Sequence, residues 1–355
     1  MVWVESLAFR DLRIIREAAL QLGPGLNVFV GRNAQGKTTL LEGVGLLARG
    51  RSFRTEQTQA LIRHGAGGMS ARGSALGEGR RTALQVDLAA RSRRLQVDGR
   101  DVPSRDYLGR LEVVVYSTDR LRVVRGPMRE RRQFLDRSGS ALWPSYRQTV
   151  RDYERVLLQR NAALEAGAHD LEVWSERYGV LGAALRQRRA EYARRLNERL
   201  RDGFQPEGER YEVQVPDHGG DIEALQRGLR TEMEARRRDE LRAGRSLVGP
   251  HRDPVVLQVD GHEVAESASS GQARSLLLAL AVAALETYQR ERGEAAVALL
   301  DDLDSELDDD RATALCQRVI AHGQALVTTA HPAWAHRVAS LGRVFEVTGG
   351  EVKAA

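Results

Sequence analysis

Between an apolar run, Leu26 to Val30, and a helix start at Thr39 stands Gly31-Arg32-Asn33-Ala34-Gln35-Gly36-Lys37-Thr38. No other stretch restricts the fold of this chain so strongly. The G-x-x-x-x-G-K-[ST] spacing, flanked by strand and helix, is that of a phosphate-binding loop. The glycines let the backbone curl so that its N–H groups converge on phosphate oxygens, and the positive end of the helix reinforces them. Gly31, Arg32, Asn33, Ala34, Gln35, Gly36, Lys37, Thr38 and Thr39 are therefore the expected nucleotide contacts. Lys37 reaches the β- and γ-phosphates, and the Thr38 hydroxyl ligates Mg²⁺. Composition sharpens the assignment, because Lys37 and Lys353 are the only lysines among 54 basic residues. An ammonium is a compact charge that a guanidinium fork does not replace in a tight phosphate cradle.

A second apolar run, Val297-Ala298-Leu299-Leu300, ends in Asp301-Asp302. Beside a phosphate loop, the first carboxylate is expected to hold the metal through water and the second to polarise the attacking water. Asp301 is thus the metal residue and Asp302 the general base. Further on, Thr328-Thr329-Ala330-His331 follows another apolar run. A histidine there hydrogen-bonds a γ-phosphate and reports its presence. Lys37, Asp302 and His331 form the expected catalytic set.

Ser269-Ser270-Gly271-Gln272 precedes a helical stretch, Ser275 to Arg290. A serine and a glycine there form an N-cap and an anion site. Its place just before the acidic strand resembles the S-x-G-Q signature of ABC heads, and Ser305-Glu306-Leu307-Asp308 resembles their D-loop. That likeness implies that Ser269, Gly271, Gln272 and Asp308 contact a nucleotide held by a second copy.

Three textures follow one another along the chain. Residues 1–118 alternate like strands with frequent glycine turns, as in Ala83 to Leu88 and Leu111 to Tyr116. Residues 119–244 carry apolar positions at helical spacing in Trp143 to Glu165, Leu171 to Asp202 and Asp221 to Arg242, with a short strand at Tyr211 to Val215. Residues 245–355 return to α/β texture, with strands at Val255 to Val259, Val297 to Leu300 and Ala325 to Thr328. The expected architecture is an α/β head of ABC type, split in sequence by a helical second lobe.

The formal charge of +5 favours a polyanionic partner only mildly. The stretch from Arg49 to Arg110 is markedly arginine-rich, so Arg51, Arg54, Arg72, Arg80, Arg81, Arg93 and Arg94 are the candidate DNA contacts. One cysteine, Cys316, excludes an intramolecular disulfide framework. No apolar run is long enough for a membrane helix, and the start lacks a signal-peptide layout, so a cytoplasmic location is expected.

Four further blocks carry a closer resemblance: Phe9-Arg10-Asp11-Leu12, Gly50-Arg51-Ser52-Phe53-Arg54-Thr55, the run from Gly126-Pro127 to Leu135-Asp136, and Gly249-Pro250-His251-Arg252-Asp253. With the motifs above, and over nearly the whole chain, they resemble the bacterial RecF family of ABC-type ATPases. The resemblance implies a recombination mediator in DNA replication and repair that binds ATP and Mg²⁺. It further implies a homodimer formed with ATP on DNA at duplex–single-strand junctions, RecR as a partner, and RecO and RecA in the pathway.

Three departures stand out. Asp302 occupies a place where most ABC proteins carry Glu, a shorter base that predicts slow turnover. Ser117-Thr118-Asp119 stands where transporters carry a glutamine, and Leu12 stands where an aromatic residue for stacking on adenine is expected. An ATPase subunit of a transporter, or another ABC-type chromosome-maintenance ATPase, remains the alternative. The helical insertion and the missing glutamine argue against the first, and the short separation of Lys37 and Ser269 argues against long-armed versions of the second.

Overall fold

The computed structural model describes residues 2–77, 79–167, 171–205, 208–264, 268–303 and 307–355. They form two compact units, Met1–Leu121 with Leu277–Ala355, and Arg122–Leu276.

The first unit begins with β1 (Trp3–Leu12), β2 (Ile15–Gln21), β3 (Leu26–Val30), α1 (Lys37–Arg49) and β4 (Gly68–Gly77). It continues through β5 (Arg80–Ala89), β6 (Ser92–Val97), β7 (Arg100–Asp101), α2 (Ser104–Tyr107) and β8 (Val113–Tyr116). Apolar–polar alternation makes β1 two-faced: Leu7 and Phe9 are buried while Arg10 is exposed. It joins an antiparallel sheet in the order β2-β1-β4-β5-β6-β7.

The second unit holds α3 (Arg122–Arg125), α4 (Met128–Leu142), α5 (Pro144–Ala166), α6 (Leu171–Asp202), β9 (Tyr211–Gln214), α7 (Ile222–Ala243), β10 (Val256–Val259) and β11 (His262–Glu263). Helical periodicity turned one face of α5, α6 and α7 inward, so Tyr153, Val156, Tyr178, Leu185, Leu229 and Met233 share one core. Asp221 starts α7 by accepting the Ala224 N–H at 2.8 Å.

The first boundary, after Leu121, lies close to the expected 118/119. The second, after Leu276, lies well beyond the expected 244/245. The reason is pairing: β10 bonds β9 and β11, making a three-stranded sheet that belongs with the helices rather than with the α/β head. Local alternation marks Val255 to Val259 as a strand and carries no information about its partner.

The helix α8 (Ser270–Arg292) starts among residues of the second unit and ends among those of the first. The first unit then resumes with β12 (Val297–Leu300), α9 (Asp309–His322), β13 (Ala325–Thr329), α10 (Pro332–Arg337), β14 (Gly342–Thr348) and β15 (Glu351–Ala354). A second sheet runs β15-β14-β3-β13-β12-β8. Every residue of β3, β12 and β13 is buried, as continuous apolar runs in a covered parallel sheet should be. Leu40, Leu41, Val44 and Leu47 of α1 share a core with residues of both sheets. The fully buried Gln324 amide links the sheets further. It accepts from Val4 N at 2.8 Å and donates to Val4 O at 2.8 Å and Gly23 O at 2.7 Å.

Candidate functional site

The strands β3, β13, β12 and β8 are parallel neighbours, with Val30 opposite Thr329, Val327 opposite Leu300, and Leu300 opposite Tyr116. Their carboxyl ends therefore lie along one edge, where open α/β sheets bind ligands. Leaving that edge are the loop Gly31 to Thr38, the pair Ala330-His331, the pair Asp301-Asp302, and Ser117. Residues scattered over three hundred positions of sequence meet because the strands that carry them pair.

The loop holds two left-handed residues, Ala34 (φ 64°) and Gly36 (φ 107°), which turn the backbone into the first turn of α1. Lys37 is 6% exposed, and its Nζ donates to Gly31 O at 2.6 Å and Arg32 O at 3.1 Å. The ammonium is thus folded back onto the loop, held by two of its carbonyls. Glycine-framed N–H groups with a central ammonium fit a triphosphate.

Asp301 is the electrostatic centre. Its Oδ1 accepts from Thr38 Oγ1 at 2.9 Å and Thr328 Oγ1 at 2.8 Å, and its Oδ2 accepts from Ser117 Oγ at 3.2 Å. Burial pushes its carboxyl above the ordinary range despite those three donors, and the charge of Asp302 adds to the rise. A hydroxyl and a buried carboxylate 2.9 Å apart are hard oxygen donors of the kind Mg²⁺ takes.

Asp302 sits at φ 57°, a strained region for a non-glycine residue, and its N–H donates to Thr328 Oγ1 at 2.8 Å. Thr328 thus fixes both acidic residues with one hydroxyl. His331 is exposed and its N–H donates to Thr329 Oγ1 at 2.9 Å, so the ring stands just before α10. Asp308 caps α9, accepting from Arg311 N at 2.9 Å. Ser305 and Glu306 of the expected D-loop lie outside the described residues.

In the second unit, Ser269 and Gln272 form a reciprocal cap on α8. Ser269 N donates to Gln272 Oε1 at 2.9 Å and Gln272 N donates to Ser269 Oγ at 3.1 Å. Gln272 Nε2 also donates to Glu209 Oε1 at 2.8 Å. Gly271 is exposed. Capping uses the Ser269 oxygen as an acceptor and leaves its O–H proton able to donate.

The candidate DNA arginines are exposed but unequal. Arg54 pairs with Asp119 at 2.5 Å and reaches Glu42 at 3.9 Å, Arg81 holds Glu5 through two bonds of 2.6 and 2.7 Å, Arg80 faces Asp98 at 3.7 Å, and Arg94 faces Asp101 at 3.4 Å. Arg93 donates to Gly50 O at 3.0 Å. Among the described residues Arg51 and Arg72 make no ion pair. Arg72 lines a furrow of about 480 Å³ on the outer face of the antiparallel sheet, floored by Ser6, Ser74, Gln85 and Gln96.

Three features escaped the sequence reading. Ser117 is fully buried with its hydroxyl on Asp301, which only strand pairing reveals. Leu12 is wholly buried in the core and presents no surface to a base, whereas Ile14, two residues on, is 45% exposed. A Cβ added to Gly36 would lie 3.2 Å from the Ile14 side chain. Finally, the buried Glu42 on α1 takes both Arg13 Nε at 2.5 Å and Nη2 at 2.9 Å, tying the β1–β2 turn to the helix that carries Lys37.

A phosphate loop, an acidic strand end and a terminal histidine on one edge of a parallel sheet, in a head split by a helical unit, define an ABC-type P-loop ATPase head. Residues 3–353 match the RecF/RecN/SMC N terminal domain family. A DNA replication and repair protein RecF of Acidothermus cellulolyticus is 35% identical over 349 residues, covering 93% of this chain and 94% of that protein. One from Listeria innocua is 30% identical over 366 residues, covering 99% of both. The chain belongs to the RecF family. A solved structure of the recombination mediator RecF with ATP shares the fold, with a TM-score of 0.90 at 23% identity, covering 100% of this chain and 99% of that one. An Smc head from Pyrococcus furiosus is more distant, at a TM-score of 0.59 and 15% identity over 100% of this chain and 96% of that one. No helix among the described residues is long and apolar enough to cross a membrane.

Proposed function

We propose that this chain is a DNA-binding ATPase of recombinational and replication-gap repair, which dimerises with ATP on DNA, hydrolyses it slowly, and helps a recombinase load at duplex–single-strand junctions. The observation that carries the reading is the corner where Lys37, Thr38, Ser117, Asp301 and Asp302 meet at the strand ends. Membership in the RecF family supports the repair context, with RecR as direct partner and RecO and RecA in the same pathway. It sets aside the transporter alternative.

Bound ATP with Mg²⁺ supplies the anhydride bond and neutralises charge on the phosphate oxygens. Within the chain, Lys37 exchanges its two carbonyl partners for phosphate oxygens, while Thr38 and Asp301 hold the cation. Asp302, the residue after the metal residue and fixed by Thr328, would take the proton as water bonds to the γ-phosphorus and the bond to the leaving ADP breaks. His331 hydrogen-bonds the γ-phosphate. Ser269, Gly271 and Gln272 of the second copy close the site, with Asp308 beside them. Ile14 is the apolar side chain beside the loop that is available to a base. A short aspartate base predicts slow turnover, which suits a switch better than a motor. DNA is held chiefly by phosphate contacts from unpaired arginines such as Arg72, without sequence preference.

The test is sedimentation with no nucleotide, ADP, or a slowly hydrolysed ATP analogue, each with and without DNA, beside ATPase rates under the same conditions. Self-association only with the ATP analogue, and a rate raised by DNA, are expected. A monomer at saturating analogue, or a DNA affinity insensitive to salt, overturns the reading.

A further inference from the structure

The loop Gly31 to Gly36 keeps an unusual shape, with Ala34 and Gly36 both left-handed. Gly36 adopts this conformation freely, but Ala34, with a side chain, persists there only where its surroundings over-determine it. On one side the loop is held through Gly31 N, which donates to Thr329 O at 3.3 Å. On the other side it meets the β14–β15 hairpin at three points. A Cβ on Gly31 would lie 2.2 Å from Val347 O, so the loop's first residue rests directly on β14. Gly349 N donates to Gln35 Oε1 at 2.6 Å, and Gly350 N donates to Gln35 O at 3.0 Å. Gly36 faces Gly350, whose Cα lies 3.7 Å from the position of an added Cβ. The hairpin turn is itself pressed against the β1–β2 turn: a Cβ on Gly350 would sit 2.7 Å from Ile14 O.

We infer that the β14–β15 turn is a working part of the nucleotide-binding loop, and that Gln35 is the positioning residue through which Gly349 and Gly350 hold that loop in its binding shape. The inference rests on the nucleotide reading above. It differs from ordinary phosphate contact by Gln35, because the side-chain carbonyl accepts from the Gly349 N–H of the turn. Both glycines sit at positive φ, 59° and 86°, which brings their two successive N–H groups onto one residue. A loop released from this clasp samples other shapes, and its apparent affinity falls by the fraction of time spent in the binding one.

The test uses the intact chain with three single variants and one double. Gln35→Met keeps size and removes the acceptor. Gly350→Ala adds a methyl where Ile14 O already stands. Gly99→Ala is the control, since Gly99 also has positive φ (76°) but nothing within 4 Å of an added Cβ. A fluorescent ATP analogue is titrated, the apo unfolding midpoint is recorded, and amide exchange is followed across residues 31–36. Gln35→Met and Gly350→Ala should each weaken the analogue by roughly 5- to 20-fold, as expected for one or two lost hydrogen bonds. Exchange in the loop should quicken, and the apo midpoint of Gln35→Met should stay near that of the unaltered chain. That of Gly350→Ala should fall below that of Gly99→Ala, because only the former meets a backbone atom. The double variant should lose less affinity than the product of the singles. Affinities within twofold of the unaltered chain, or unchanged loop exchange, overturn the inference. Should the unaltered chain bind no analogue, the nucleotide reading fails, and the exchange data alone decide whether the clasp exists.

Discussion

Two buried carboxylates, one in each unit, live in opposite surroundings. Glu240 is fully buried and receives Arg160 Nη2 at 2.6 Å and Leu247 N at 2.8 Å. The same guanidinium donates to Ser175 Oγ at 3.1 Å and Ser246 Oγ at 2.6 Å. Asp301, 4% exposed, accepts from three hydroxyls and forms no ion pair among the described residues; the Arg54 guanidinium acts on it only at longer range and is itself paired with Asp119. The contrast separates structure from function. A buried charge completed by the protein's own opposite charge holds elements together. A buried carboxylate whose hydrogen-bond donors are all neutral keeps a raised pKa, and in the function proposed above an external cation would complete it.

The largest effect should come from breaking the completed pair. Glu240→Gln keeps the shape and leaves Arg160 buried without its counter-charge, which should cost about 3–5 kcal/mol in denaturant unfolding of the second unit. A loss below about 1 kcal/mol would show that the pair is solvated and that the contrast with Asp301 is mistaken.

Next in size is a pH effect in the same network. The His251 ring lies 2.9 Å from the Tyr153 hydroxyl and 3.1 Å from that of Tyr178, and burial lowers its pKa from 6.5 to about 4. Between those values the unfolded chain binds more protons than the folded one, so stability is full above the ordinary value and falls as pH drops toward the depressed one. The drop should be on the order of 3 kcal/mol, from roughly 1.4 per pK unit. His251→Gln should flatten that acid slope, and an unchanged slope would place its cause elsewhere.

On the other side of the comparison, function should fail with little change in stability. Lys37→Met should weaken nucleotide binding about 100-fold, comparable to losing several charge-assisted bonds, while its unfolding midpoint barely moves. Asp301→Asn removes a carboxylate that burial already disfavours in ionised form. Stability should therefore stay level or rise slightly, and the gain in nucleotide affinity brought by Mg²⁺ should shrink about tenfold, a change of roughly 1.4 kcal/mol. Titrations with and without Mg²⁺ read both numbers, and a marked loss of fold would make Asp301 another Glu240.

Sequence order made much of this legible, and the reasons are local. The phosphate loop carries its own glycine, lysine and threonine spacing. The strand Val297 to Leu300 announces its acidic end, and α5, α6 and α7 follow from helical periodicity. What stayed hidden was set by pairing between distant segments. The strand β10 looks like head sequence but bonds β9, and Ser117 reads as a loop residue until β8 is laid beside β12. Leu12 and Ile14 differ in exposure because of where the β1–β2 turn packs, which alternation alone does not fix. The buried partners of Arg160 are equally silent, since no spacing rule joins positions eighty residues apart.

The smallest change should come from Ser117, and its direction distinguishes a metal corner from a mere strand end. Ser117 is buried and donates to Asp301 Oδ2, the oxygen that neither threonine uses. Ser117→Ala removes one neutral donor from an already disfavoured charge, so the Asp301 carboxyl should titrate still higher. With no cation the cost should be about 1 kcal/mol of stability or less, as for one hydrogen bond. With Mg²⁺ and nucleotide the carboxylate oxygen becomes less well oriented, and affinity should fall by a few-fold, whereas Mg²⁺-free nucleotide binding should not change. Were Ser117 only a filler of the strand end, both titrations would shift together or not at all.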